Sequence, residues 1–331
     1  MEIKAADVAK LRQMTGAGMM DCKKALVEAN GDYERAKEII REKGKLVAAK
    51  RADRETSEGA VIAKVAEGKA IVVGLGCETD FVAKNAEFQA LAQAIAETAI
   101  ANFPADKDAL MACVLADGRT VEAAVTEQTG KTGEKHQIAG YEVVEAPYIV
   151  AYMHNVTGKL AAVVGFNKEF DAQVAKGVAM QVASMNPVAV SAESVPQSVI
   201  DSELKTATEK TKEELVQKAV DAALTKAGIN PAHVDSEAHI ESNQSKGWIT
   251  AEQAEQAREI IKTVSAEKAA NLPEQMVANI AKGRLQKFFK EQTLEEQGYQ
   301  MGDGKTSVKD VIKAADAEVK VLTFKRLSLA D

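Results

Sequence analysis

Apolar positions along the chain fall into blocks of two different periods. From residue 3 to about 43 they recur every three or four residues: Val8 and Leu11, then Cys22, Ala25, Leu26 and Ala29, then Ala36, Ile39 and Ile40. That is the spacing of one buried helix face. Thr15-Gly16-Ala17-Gly18 separates the first run from the second, because two close glycines favour a turn. Asn30-Gly31-Asp32 separates the second from the third, with Asn and Gly suited to a left-handed cap and Asp to opening a helix. The pattern predicts a three-helix bundle near the lower size limit for independent folding. Residues 41–54 are basic and poor in large apolar groups, which predicts a solvated linker; contact with an acidic partner is the alternative.

At Gly59 the period becomes two. Val61, Ala63 and Val65 alternate, Glu67-Gly68-Lys69 reads as a hairpin turn, and Ile71 to Leu75 continues as a buried strand. Thr79 to Asn85 is a polar turn entering a helix marked by Phe88, Leu91, Ala92, Ile95 and Ala99. A further helix is predicted over 106–128, strands over 141–144, 148–152 and 160–164, and a helix over 169–185. Residues 197–270 are rich in Ala, Glu, Lys and Gln, with helices before Gly228-Ile229-Asn230-Pro231 and over about 250–269. Their apolar stripe is thin, which predicts a projecting helical hairpin. A compact sub-domain anchored by Trp248 is the rival. Helices over 274–290 and 308–314 and a closing strand over 318–327 follow. Strands and helices in separate blocks indicate an α+β fold with antiparallel sheets. The expected domains are 1–54 (bundle and basic linker), 55–147 (first core sub-domain) and 148–331 (second), the last interrupted by an insertion at about 197–272.

Composition narrows the function. The chain has 331 residues, with 42 basic against 49 acidic ones and a net charge of -7. That argues against a dedicated nucleic-acid binder, which usually carries a basic excess. Cys22, Cys77 and Cys113 form no Cys-x-x-Cys pair, so neither a disulfide framework nor a zinc site is indicated, and the free thiols suit a reducing compartment. Met1 to Asp7 contains no apolar leader, and no apolar run approaches the ~20 residues of a membrane span. A cytoplasmic protein without membrane contact is expected.

Few residues suggest chemistry. Gly74-Leu75-Gly76-Cys77-Glu78-Thr79 imitates the opening of a dinucleotide fingerprint, but Thr79 stands where Gly or Ala is needed, and the preceding strand belongs to a hairpin. Cys77 with His154 as base is a conceivable nucleophile pair; a small buried thiol is the plainer reading. His136, His233 and His239 lack metal-ligand spacing. No metal, cofactor or catalytic residue is expected. Thr79-Asp80-Phe81-Val82 leaves two readings. Thr79 or Asp80 caps the helix while Phe81 folds back as an apolar staple, or the turn presents its ring and carboxylate to a partner. For Met19-Met20, adjacent on a helix, at least one side chain is expected in the core and the other near the surface.

Thr15 through Leu26 followed by Ala29-Asn30-Gly31-Asp32, and Cys77 through Asn85, resemble the two signatures of the bacterial elongation factor Ts family. Weaker similarity runs through Tyr152-Met153-His154, Ala179 to Ala183 and the segment from Pro273 to Phe288, so the resemblance covers roughly 1–205 and 273–327. It implies a guanine nucleotide exchange factor for elongation factor Tu, active in translation elongation, whose N-terminal module is similar to ubiquitin-associated domains. By that resemblance Leu11, Met19 and Met20 contact the GTPase, Thr79, Asp80, Phe81 and Val82 intrude beside its Mg²⁺ site, and His154 supports the same contact. Partners are then GDP-bound and nucleotide-free elongation factor Tu, with a homodimer left open. Departures are the long segment 206–272, Gly76 in place of a more usual Asn, the Asn155-Val156-Thr157-Gly158 turn, and an expected lack of an extra C-terminal helix after the closing strand. An adaptor that binds a partner without altering nucleotide release is the competing function, and an enzyme using Cys77 and His154 a third.

Overall fold

The computed structural model describes residues 3–330. It has mixed helical and antiparallel sheet structure, as the blocks of period predict. Helices α1 (Ala5–Thr15), α2 (Met19–Glu28) and α3 (Tyr33–Lys50) form the N-terminal bundle. Gly16 closes α1 at φ +68°, a left-handed conformation that glycine adopts without strain. Asp32 caps α3 by accepting from the backbone N–H of Glu34 (2.8 Å) and Arg35 (3.1 Å). Val8, Leu11, Cys22, Ala25, Leu26, Ala36 and Ile40 fill the bundle core.

Strands β1 (Glu58–Ala66) and β2 (Lys69–Cys77) make a hairpin, and after α4 (Asp80–Ala83), α5 (Ala86–Asn102), α6 (Lys107–Ala112) and α7 (Val121–Thr132) strand β3 (Gln137–Glu145) joins it in the order β1-β2-β3. Strands β4 (Tyr148–Met153) and β5 (Leu160–Phe166) follow, then α8 (Ala172–Met185). The chain next enters α9 (Gln197–Lys226), α10 (Glu237–Ser245), α11 (Ala251–Ala270) and α12 (Glu274–Gln292), and returns through α13 (Val308–Ala315) and β6 (Val321–Ser328) to a second sheet ordered β4-β5-β6.

Two compact units result: one running to Val190 and resuming at Leu294, the other Ser191–Thr293. In the first, the sheets pack face to face through Val61, Ala63, Ala70, Val72, Ile149, Ala161 and Val163. The opposite face of the first sheet, with Ile71, Val73 and Leu75, packs on Phe88, Ile95, Val121 and Val125 of the helices. The opposite face of the second, with Ala162, Val164 and Phe166, packs on Val178 and Val182 of α8 and on Val308 and Ile312 of α13. The strands are thus sandwiched, which explains their near-continuous apolar runs.

Several expectations change. The predicted linker at 41–54 is largely helix: α3 continues to Lys50, with Gly44 close against α7. A Cβ built on Gly130 would lie 3.0 Å from the Cα of Gly44, so two glycines let the helix backbones touch where large apolar groups are lacking. The helix expected over 106–128 is two, interrupted around Gly118 at φ +86° and an isolated bridge between Val114 and Thr120. In the second unit, Val220, Leu224, Ile229, Val234, Ile240, Ile249, Ala254 and Ala257 form a core of their own. The thin stripe of each helix is completed by the segment between α9 and α11, which periodicity alone left undefined. Trp248 does not anchor that core; it is 61% exposed.

Candidate functional site

Strand β2 ends at Cys77, and the chain leaves the first sheet through Glu78 and Thr79 into the single turn of α4. Thr79 is extended (φ -125°) and caps α4, its hydroxyl accepting from the Val82 N–H at 3.4 Å. Asp80 pairs with Lys84 at 2.7 Å, one turn on. That hydrogen bond holds the Asp80 carboxyl below the usual carboxylate range. Ala83 is buried and Val82 is packed against the first core, so the anchoring role expected of a staple falls to them. Phe81 does not fold back: its side chain is 83% exposed, and no ring or cation among the described residues stacks on it.

The root of this turn is held by polar groups from distant segments. Both carboxylate oxygens of Glu134 engage Thr79, accepting its N–H at 3.1 Å and its hydroxyl at 2.7 Å. Glu78 accepts the Lys135 N–H at 2.6 Å and the Arg51 guanidinium at 2.7 and 2.8 Å. Burial alone would push the Glu78 carboxyl up; the Lys135 N–H and Arg51 outweigh it and hold the group below its ordinary value. Lys135 donates from Nζ to the carbonyls of Ala52 (2.6 Å) and Arg54 (2.9 Å), just beyond α3. Sequence reading missed Glu78, Glu134, Arg51 and Lys135. Their partners lie 27 to 83 residues away, so no local spacing marks them.

Beside the turn lies a cleft of about 560 Å³, lined by Asp80, Ala83 and Lys84 on one side and by Met153 to Lys159 on the other. His154 is therefore brought to the same cleft as Asp80, although 74 residues separate them in the chain. Its Nδ1 lies 3.0 Å from the Tyr152 hydroxyl, and its backbone carbonyl accepts from Gly158 across the hairpin turn. The added turn residues project Val156, which is 89% exposed. Phe81 and Val156 thus leave two large apolar groups in solvent near one cleft.

The proposed nucleophile pair is not assembled. Cys77 is buried beneath the turn, its thiol donating to the Thr79 carbonyl at 3.3 Å and pushed up to about 12 chiefly by burial. A thiol so held is not a thiolate at neutral pH. The glycines of the dinucleotide-like run answer to packing: a Cβ on Gly76 would lie 2.8 Å from the Thr56 hydroxyl oxygen, and one on Gly74 would press on Leu327 at 3.1 Å. Among the described residues, no cluster of His, Cys, Asp or Glu is arranged to hold a metal ion, and no helix is long and apolar enough to cross a membrane.

In the bundle, Leu11 cannot be a surface contact in this conformation. It has 0% exposure and packs in the bundle core. Met19 and Met20, one of which was expected inside, are both exposed, at 43% and 65%. They occupy the first turn of α2, where Gly18 is the cap, and the buried face of the helix begins only at Cys22. With Met14, also exposed, they leave flexible thioethers on the bundle surface.

Comparison with known proteins gives one consistent result. The family model for Elongation factor TS matches residues 78–235 and 217–331. The chain is similar to proteins named Elongation factor Ts from Bacteroides fragilis (56% identical), Phocaeicola vulgatus (55%) and Christiangramia forsetii (40%), in each case over 99% of both chains.

Proposed function

The chain belongs to the elongation factor Ts family, and from that premise we propose that it is a guanine nucleotide exchange factor for elongation factor Tu, without catalytic residues of its own. The turn Thr79-Asp80-Phe81-Val82 intrudes beside the GTPase's Mg²⁺ and phosphate site, His154 supports that contact from across the cleft, and the Met19-Met20 surface docks on the GTPase domain. Leu11, in the bundle core, contributes only by holding the bundle together. The observation that carries this reading is the exposure of Phe81 on a firmly rooted single turn.

An exposed phenyl ring has no stabilising role in its own fold, and an aromatic group seated in a partner's pocket is a common binding hot spot. Mg²⁺ bridges nucleotide phosphates to a GTPase, so disturbing its surroundings weakens GDP binding. The ring favours an open partner only by binding that state better than the closed one. Coupling is reciprocal, so incoming GTP weakens the factor in turn and completes the cycle.

The test is stopped-flow release of fluorescent GDP from elongation factor Tu with the full chain and with the Asp80→Ala, Phe81→Ala double variant. A folded double variant that has lost most of the acceleration supports the reading, and wild-type rates in that variant overturn it. Binding by the wild-type chain with no change in the GDP off-rate would instead establish the adaptor alternative.

A further inference from the structure

We propose that Glu134 is the positioning residue of the exchange turn, a carboxylate that sets where Phe81 stands without touching the partner. This inference rests on the exchange reading above. The backbone ladder between β2 and β3 pairs Gly76 with Gln137 and goes no further. Past that point side chains continue the pairing. Glu134 takes both polar hydrogens of Thr79, and Glu78 reaches the opposite way to the Lys135 N–H. Two carboxylates thus cross between the same two chain segments in opposite senses, each hydrogen bond charge-assisted.

The load on Glu134 is specific. Thr79 is the cap of a helix of one turn, too short to hold itself together by its own hydrogen bonds. Its internal cap bond to Val82 is long, at 3.4 Å, whereas the bond from its hydroxyl to Glu134 is 2.7 Å. The external carboxylate, more than the cap, therefore fixes the residue from which Asp80 and Phe81 project. Glu134 is itself placed by Gly133, which ends α7 at φ +74°, and by its own N–H donating to the Thr132 hydroxyl at 3.1 Å. Its carbonyl lies 2.9 Å from His136 Nδ1. His136 is buried against Phe88, and burial holds its imidazole below the usual pKa. A neutral ring donating from Nδ1 to that carbonyl completes the setting. No part of this assembly faces the cleft: Glu134, Thr79 and Glu78 are absent from its lining.

The experiment compares the full-length chain with Glu134→Ala and Glu134→Gln in GDP release across a titration of factor. The expected result for Glu134→Ala is a maximal release rate lowered about tenfold, the scale of losing hydrogen bonds to a charged group, while the half-saturating concentration moves less than about threefold because the other contacts persist. Amide exchange at Phe81 to Lys84 quickens in the free protein. Glu134→Gln retains one acceptor and falls between. In a Phe81→Ala background, Glu134→Ala produces little further loss, as expected for two residues acting through one device. Should the alanine variant melt early, Glu134→Gln carries the same comparison. An unchanged maximal rate in the folded variants, or an equal further loss in the Phe81→Ala background, overturns the assignment. A loss with Phe81→Ala but none with Glu134→Ala removes the clamp alone, whereas full activity of Phe81→Ala removes the exchange reading with it.

Discussion

Phe81 and Trp248 are both large, both aromatic and both exposed, at 83% and 61%. Their settings differ. Trp248 lies in the second unit with its ring 5.6 Å from that of His233 and beneath the Lys246 ammonium at 5.1 Å. Its backbone N–H donates to the Asn243 carbonyl, and its neighbour Ile249 enters the local core. The ring is occupied by its own chain, between an imidazole and an ammonium. Phe81 has no such ring or cation beside it among the described residues; its turn is anchored by Val82 and Ala83 against the first core and held by carboxylates at its root and one ion pair on its flank. Exposure alone does not distinguish a binding group from a surface ornament. In the exchange reading proposed above, a bare ring on a firmly held turn is what marks the binding group.

The comparison can be tested at both ends. The largest effect is expected in the second unit's core, to which Trp248 does not belong. Ile240 is 2% exposed in the second unit's core, and Ile240→Ala should destabilise that unit by about 2–5 kcal/mol. Hydrogen exchange would show faster opening across α10 and α11, and undiminished protection there would mean that this small core is not what holds the unit. Next in size is a matched pair of truncations. Phe81→Ala should reduce the acceleration of GDP release roughly thirtyfold, the scale of a ~2 kcal/mol hot spot, whereas Trp248→Ala should change it less than about twofold. Equal losses would erase the distinction between the two rings.

The smallest effect concerns the flank of the turn. Asp80 titrates low because it is bonded to Lys84. A lowered carboxylate pKa means that the stabilisation is present above the unfolded value and fades as pH falls through the folded one. Lys84→Ala should move the Asp80 titration up toward its ordinary range, followed by carbon-detected NMR. A curve that does not move would show that the pair is not kept in solution.

Local order was readable in the chain because it is written locally. Helix faces, the Gly68 hairpin and the caps at Asp32 and Thr79 follow from spacing and turn chemistry, and the structure places them accordingly. The misreadings share one cause. Residues 41–54 lack large apolar groups, so nothing in them announces that Gly44 meets a glycine on another helix. Met19 and Met20 look partly internal by composition, but the buried face of α2 starts only at Cys22. Trp248 suggests an anchor by size, whereas the neighbouring Ile249 is the residue inside. For the candidate site, the signature at 77–85 is visible as a string, yet its mount is not. Glu134 becomes meaningful only once β2 and β3 are paired and their ends adjoin.

The unequal faces of β2 carry a further consequence. Toward the helices it presents Ile71, Val73 and Leu75; toward the other sheet it presents Ala70, Val72 and Gly74, the last with a Leu327 methyl close against it. A slide of one residue would exchange the two sets, driving larger side chains into the places that Ala70 and Gly74 occupy in the seam. The strand therefore has a single permitted address. Because Thr79 follows two residues after its end, the ring beyond it leaves the molecule from a point that thermal slippage of the sheet cannot shift.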